Sequence, residues 1–239
     1  MSALPTLFPR VPLKRMDAAM LVVELDRETS RLMPGASELI TSALTMASFL
    51  HRNQTRFVRG DMDRVPYIEH PLRVALRMIR WGSRDGELIA AALLHDILED
   101  CGAELVEVFG DPERDDEAPA MLLKRLYGHR VAHLVTTVTN PKARMSHAEY
   151  REHIAALASS GSEALLIKAS DLKDNAGSIR HQLGHGMDEK LLRMLKKYLP
   201  AVSVVADEID RSAHRGTAGD DVRRLDEELR ELAREHGVA

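Results

Sequence analysis

Cysteine, aromatic residues and long apolar runs are all scarce in this chain. One cysteine, Cys101, among 239 residues excludes an internal disulfide and fits a reducing, cytoplasmic setting. Aromatic residues make up 4% and β-branched runs are short, so there is little material for a sheet core. No apolar stretch approaches the roughly 18 residues of a membrane span. The first fifteen residues lack the apolar core of a secretory signal. A net charge of −4 supplies no basic field for nucleic acid. There is no internal repeat and no low-complexity tract. Leu, Ala, Glu and Arg are abundant, and they favour helices. The expectation is an all-α protein, with 239 residues sufficient for one large domain and appendages.

The periodicity predicts helices over 17–32, 37–51, 71–81 and 85–100, with 52–65 as a polar loop. A short helix over 104–109 precedes an acidic loop over 111–118. Segments 121–127 and 131–138 read as helices. Ser146 and Glu149 form a capping-box pattern that opens a helix to about Ala158. Helices over 163–180 and 187–209 follow. The expected division is an N-terminal helical extension (1–35), a main helical domain (36–212), and a linker with a last helix (213–239). In that last helix Val222, Leu225, Leu229 and Leu232 form a narrow apolar stripe. The first reading docks this stripe on the domain; the second makes it a homodimer contact.

The stretch Ala90–Asp100 organises the rest. Its first half is apolar at helical spacing, with Leu88, Ile89, Ala92 and Leu93 facing a core. His95, Asp96, Glu99 and Asp100 then arrive within six positions. His95 and Glu99 are four apart, as are Asp96 and Asp100, so a continuous helix puts each pair on one face. Buried carboxylates and imidazoles need partners or a metal. Two adjacent residues cannot supply the four to six donors a divalent ion takes. Two other places offer more: His70 ahead of Pro71, and Asp171, where an apolar helix again acquires charge. Lys168 and Asn175, three before and four after Asp171, share its face. Taken singly these signals are weak, since Lys168–Asp171 alone reads as an ordinary i,i+3 ion pair worth a few tenths of a kcal/mol. Cys101 reads as a packed small residue rather than a nucleophile.

Together, and in order, the four stretches resemble the HD-domain hydrolases of the Rel/SpoT type, which degrade the alarmone (p)ppGpp. His51-Arg52-Asn53-Gln54-Thr55-Arg56 is similar to the family's first motif and Pro66-Tyr67-Ile68-Glu69-His70-Pro71 to its second. Ala91 to Asp100 is similar to the third, the most specific, and Leu166 to Asn175 to the fourth. The similarity runs from about Ala43 to Pro200 and leaves no room for an adjoining synthetase segment, which implies a stand-alone small alarmone hydrolase. The resemblance implies an HD-domain helical bundle with a metal, usually manganese, held by His70, His95, Asp96 and Asp171. Glu99 and Asp100 fall on the catalytic acidic pair. Arg56, Lys168 and Asn175 fall near the nucleotide and its phosphates, and Ser178 where a small hydroxyl meets substrate. The implied reaction removes the 3′-pyrophosphate of ppGpp or pppGpp, a small-molecule substrate that needs neither nucleic acid nor membrane.

The chain also departs from that pattern. Phe57 follows Arg56 where a basic residue is usual, with Arg59 as the candidate substitute. The segment from Arg56 to Pro66 is long, and Leu172 and Gly177 stand where basic residues are frequent. These positions surround the substrate rather than the metal. They motivate one alternative, hydrolysis of another nucleotide such as (p)ppApp; a second, a non-catalytic nucleotide-binding or regulatory partner protein, is opposed by the presence of all four metal positions and both acidic residues.

Overall fold

In the computed structural model one helix, α3 (Glu69–Arg80), runs through the middle of the protein, and every residue from Glu69 to Ile79 is buried. Residues 11–57, 63–114, 117–142, 144–161, 163–211 and 215–238 are described. Pro71 lies in the first turn of α3, where its missing N–H interrupts no helical hydrogen bond. Helix α4 (Gly86–Leu94) begins at Asp85, whose side chain accepts from Leu88 N at 3.1 Å. All residues from Leu88 to Leu94 are buried, against α2 (Ser37–Leu50), α3 and α7 (Pro119–Val138). Helix α9 (Ala164–Ala176) packs on α3 and is buried along most of its length. An outer layer of α8 (His147–Ser159) and α11 (Asp188–Arg211) covers it, and α8 starts with the expected Ser146–Glu149 capping box.

The outlying helices share this core. Helix α1 (Ala18–Leu32) lies on α3, and α12 (Asp220–Glu235) lies on α11 and α9. One apolar cluster extends from Leu13 to Ala233. Val222, Leu225, Leu229 and Leu232 are each at most 2% exposed, so the terminal stripe docks on the chain's own body. Leu229→Ala should therefore cost about 2–5 kcal/mol in denaturant unfolding. A change under about 0.5 kcal/mol, the range of surface substitutions, would mean the helix is undocked in solution.

The all-α expectation is met, and three local expectations are corrected. The polar loop over 52–65 contains a two-stranded antiparallel ladder, β1 (Thr55–Arg56) with β2 (Val65–Pro66). Two-residue strands are too short for alternation to reveal. The helix expected over 85–100 is two, α4 and α5 (Ile97–Asp100), with His95 and Asp96 in the turn between them. The helix expected over 163–180 likewise stops at Ala176, before a short α10 (Ile179–Gln182). Helix α6 (Gly102–Phe109) is two residues longer than expected. The break expected between 127 and 131 is at Gly128, whose φ of 85° interrupts α7.

Candidate metal centre

Three elements bring four side chains to one point. His70 comes from the first turn of α3, His95 and Asp96 from the α4–α5 turn, and Asp171 from mid-α9. His95 Nδ1 donates to the Ala92 carbonyl at 2.9 Å. His70 Nδ1 donates to Asp174 Oδ2 at 2.8 Å. With the proton of each neutral ring on Nδ1, each Nε2 is left as a lone pair. Both point at carboxylate oxygens: His70 Nε2 is 3.4 Å from Asp96 Oδ2 and 3.2 Å from Asp171 Oδ1. The corresponding His95 distances are 3.1 and 3.8 Å. Donor atoms of His70, His95 and Asp171 lie within 4.8 Å of one another, and all three residues are buried. His95 Nε2 is buried without a hydrogen-bond partner. Lone pairs facing carboxylates repel unless positive charge lies between them. Two nitrogens and two carboxylates are a donor set that a divalent metal accepts, so the residues fit one.

Without a cation, protons must serve. Burial opposes charge on His95, but Asp96 and Asp171 outweigh it and raise the imidazole to about 10. Burial likewise opposes the charge of Asp96, and His95 and His70 hold it well below the usual carboxylate range. A histidine raised in the folded state stabilises fully below its unfolded value of about 6.5 and loses that contribution as pH rises through about 10. At neutral pH a metal must therefore displace protons. Mn²⁺ titration calorimetry in two buffers of different ionisation enthalpy should give different apparent enthalpies; identical values would contradict proton displacement.

A second ring of side chains ties this cluster to an open cleft of about 480 Å³. Lys168 Nζ donates to Asp171 Oδ2 at 3.1 Å, and Asn175 Nδ2 to Asp171 Oδ1 at 2.5 Å. Arg56 donates to Asn175 Oδ1 at 2.5 Å, and its guanidinium lies 5.4 Å from the Tyr67 ring centroid. Tyr67 Oη donates to Asp96 Oδ2 at 2.7 Å. Glu99 and Asp100 line the same cleft, with Lys197 and Tyr198 of α11 also contributing. Glu99 accepts from the backbone and side-chain nitrogens of Asn140 at 2.6 and 2.8 Å. Burial, with Asp96 and Glu99 adding, pushes Asp100 up to about 6.

The model of the HD domain matches residues 67–211, more than half of the chain. The chain belongs to the HD domain family. This HD domain is 35% identical over 164 residues to the guanosine-3′,5′-bis(diphosphate) 3′-pyrophosphohydrolase of Aquifex aeolicus, covering 66% of this chain and 20% of that protein. It is 32% identical to the Drosophila melanogaster guanosine-3′,5′-bis(diphosphate) 3′-pyrophosphohydrolase MESH1, covering 55% of this chain and 64% of the fly protein. The chain thus spans about a fifth of the bacterial relative and less than two thirds of the fly one. A solved structure described as a metazoan ortholog of SpoT that hydrolyses ppGpp superposes with a TM-score of 0.57. It is 25% identical, over 84% of this chain and 97% of that one.

The HD fold thus brings together the four residues expected at the metal, and sets Arg56, Lys168 and Asn175 beside them. Ser178 lines the cleft but is 4% exposed; it accepts from Lys14 Nζ at 2.8 Å and donates to the Asp174 carbonyl at 2.9 Å. Arg59 lies outside the described residues. Tyr67 and Asp174 stand inside the motifs that signalled the site, yet sequence reasoning gave them no task. Asn140 lies beyond the helix expected over 131–138 and outside all four motifs. Their partners are 29 or more positions away, so spacing carries no signal for them. No helix among the described residues is long and apolar enough to cross a membrane.

Proposed function

We propose that this HD domain is a metal-dependent phosphohydrolase that removes the 3′-pyrophosphate of guanosine 3′,5′-bis(diphosphate) with water, releasing pyrophosphate and guanosine 5′-diphosphate. One observation carries the reading. Asp171, which closes the metal cluster, is also gripped by Lys168 and by the Arg56–Asn175 pair. The metal centre and the cations suited to phosphate form one connected unit at the cleft. In this reading His70, His95, Asp96 and Asp171 hold the ion, which we take to be Mn²⁺. The ion supplies Lewis acidity toward a phosphoryl oxygen and toward water.

The remaining tasks fall to the chain. Asp100, held near 6, accepts the proton of the attacking water, and Glu99, fixed by Asn140, orients that water. Arg56 and Lys168 offset the charge that grows on the transferred phosphoryl group. Asn175 aims Asp171, and we assign it, with Ser178 on the same wall, to the nucleoside end of the substrate. We assign the catalytic unit to residues 36–212, with α1 and α12 of the flanking segments 1–35 and 213–239 packed against it. The free nucleotide is the only partner that turnover needs, and a cytoplasmic setting suits the lone reduced cysteine.

Phe57 beside Arg56 favours one second reading, in which an adenine alarmone is the substrate. The test is a Mn²⁺-dependent assay with product analysis on ppGpp, ppApp and guanosine 5′-diphosphate. Guanosine diphosphate plus pyrophosphate from ppGpp, and no reaction with guanosine 5′-diphosphate, is the expected outcome. Faster turnover of ppApp would establish the adenine reading, and inertness toward both with metal bound would leave a binding protein.

A further inference from the structure

A second cavity, of about 930 Å³, lies on the other face of α9. Asp171 and Asn175 face the metal cleft, whereas Lys173 and Gly177 face this one. The segment before α1, the end of α3, α9, α10 and α12 surround the space without filling it. Five Lys or Arg residues line it against two carboxylates, Asp221 and Glu228, and His181 and His185 lie at its rim. Asp221 is already engaged by Lys173 at 3.2 Å and by the Trp81 indole N–H at 3.2 Å. With Lys173 paired to Asp221, Arg77 to Asp174 at 3.1 Å and Arg80 to Glu24 at 3.6 Å, the positive character of the cavity lies toward its Lys14–Arg15 end.

Its floor sharpens that character. Arg77 is buried there, bonded to Asp174 and to the Ser170 carbonyl. Lys14 reaches inward to Ser178. Burial lowers the Lys14 ammonium to about 7 against the pull of Asp174, and the Arg77 and Arg73 charges add to the fall. An arriving anion would restore that proton. Beside these cations stand Trp81 and the apolar surface of Pro12 and Leu13. Cations, an indole and a volume in the range of about 300–1,000 Å³ suit a small ligand with phosphates at one end and a planar base at the other.

We propose that this second cavity is a nucleotide site, with phosphates toward Lys14 and Arg15 and the base against Trp81. It is separate from the metal cleft and independent of the reaction assigned there; a chain without hydrolase activity would still show it.

Trp81 is the only tryptophan in the sequence, so indole emission reports this cavity. The full chain is titrated with guanosine and adenosine 5′-diphosphate, each compared with its nucleoside and with inorganic pyrophosphate. A saturable change in emission below about 1 mM nucleotide is expected, tighter than for nucleoside or pyrophosphate alone. Arg15 and His185 are exposed rim residues outside the metal cleft. The R15E/H185E double variant should weaken nucleotide binding at least about tenfold, about 1.4 kcal/mol, and leave turnover in the metal cleft unchanged. Three results would overturn the proposal: no saturable change, pyrophosphate binding as tightly as nucleotide, or unaltered binding by R15E/H185E.

Discussion

Asp96→Ala should leave a folded protein with hydrolysis reduced by at least about 10³-fold. Loss of a group one shell out from a metal usually costs 10–100-fold, and the proposed mechanism assigns Asp96 to the inner set. Its Oδ2 lies 3.4 Å from His70 Nε2 and 3.1 Å from His95 Nε2 and is oriented by Tyr67. The Asp96 side chain is 17% exposed, the most open of the four, so its removal leaves no sealed cavity. Activity on ppGpp, with circular dichroism as the check on folding, reads the effect. Folded Asp96→Ala protein with full activity on its true substrate would sink the mechanism. The neighbouring Asp100→Asn variant separates proton transfer from metal binding. It should retain Mn²⁺ and lose the acid limb, which lies at or below about pH 6, from its pH–rate profile.

The second large effect lies behind the site, at Asp174. This carboxylate is 0% exposed and accepts from four donors. Arg73 Nε and an Arg77 nitrogen reach Oδ1 at 2.9 and 3.1 Å; His70 Nδ1 and an Arg73 nitrogen reach Oδ2 at 2.8 and 3.1 Å. Asp174→Ala strands the buried Arg77 guanidinium and leaves Arg73 with Glu69 alone, and should cost about 3–5 kcal/mol of stability. Asp174→Asn keeps the shape but must turn an NH₂ toward donors. Where it faces His70, the ring has to move its proton to Nε2, and the lone pair meant for the metal is lost. Mn²⁺ affinity should fall about 10–100-fold, read by titration of the metal itself. A variant with native metal affinity and native stability would show that Asp174 neither aims His70 nor neutralises the arginines.

These two residues mark what could and could not be read in the sequence. Asp96 was legible because an apolar helix acquires charge abruptly beside His95, and because three other stretches follow a known order around it. The helix break at that point was not legible. His95 and Asp96 keep φ/ψ of −61°/−29° and −95°/−9°, close to helical values, and no glycine or proline announces a turn. Asp174 had no periodic or spacing signal; its meaning comes from Arg73 and Arg77, about a hundred residues earlier and on another helix. The helix start with local chemistry, the Ser146–Glu149 box, was legible because caps are set by residues within one turn. Contacts between elements, including the Lys14–Ser178 bond beside the second cavity, depend on packing that no local pattern encodes.

The account rests most on the cation and its place. Crystals grown with Mn²⁺, with anomalous data collected at the manganese edge, locate it directly. The prediction is one dominant peak in contact with His70 Nε2, His95 Nε2, Asp96 and Asp171, absent from Asp96→Ala crystals. A site left empty under saturating Mn²⁺, or a peak bound only by residues elsewhere, would contradict the account.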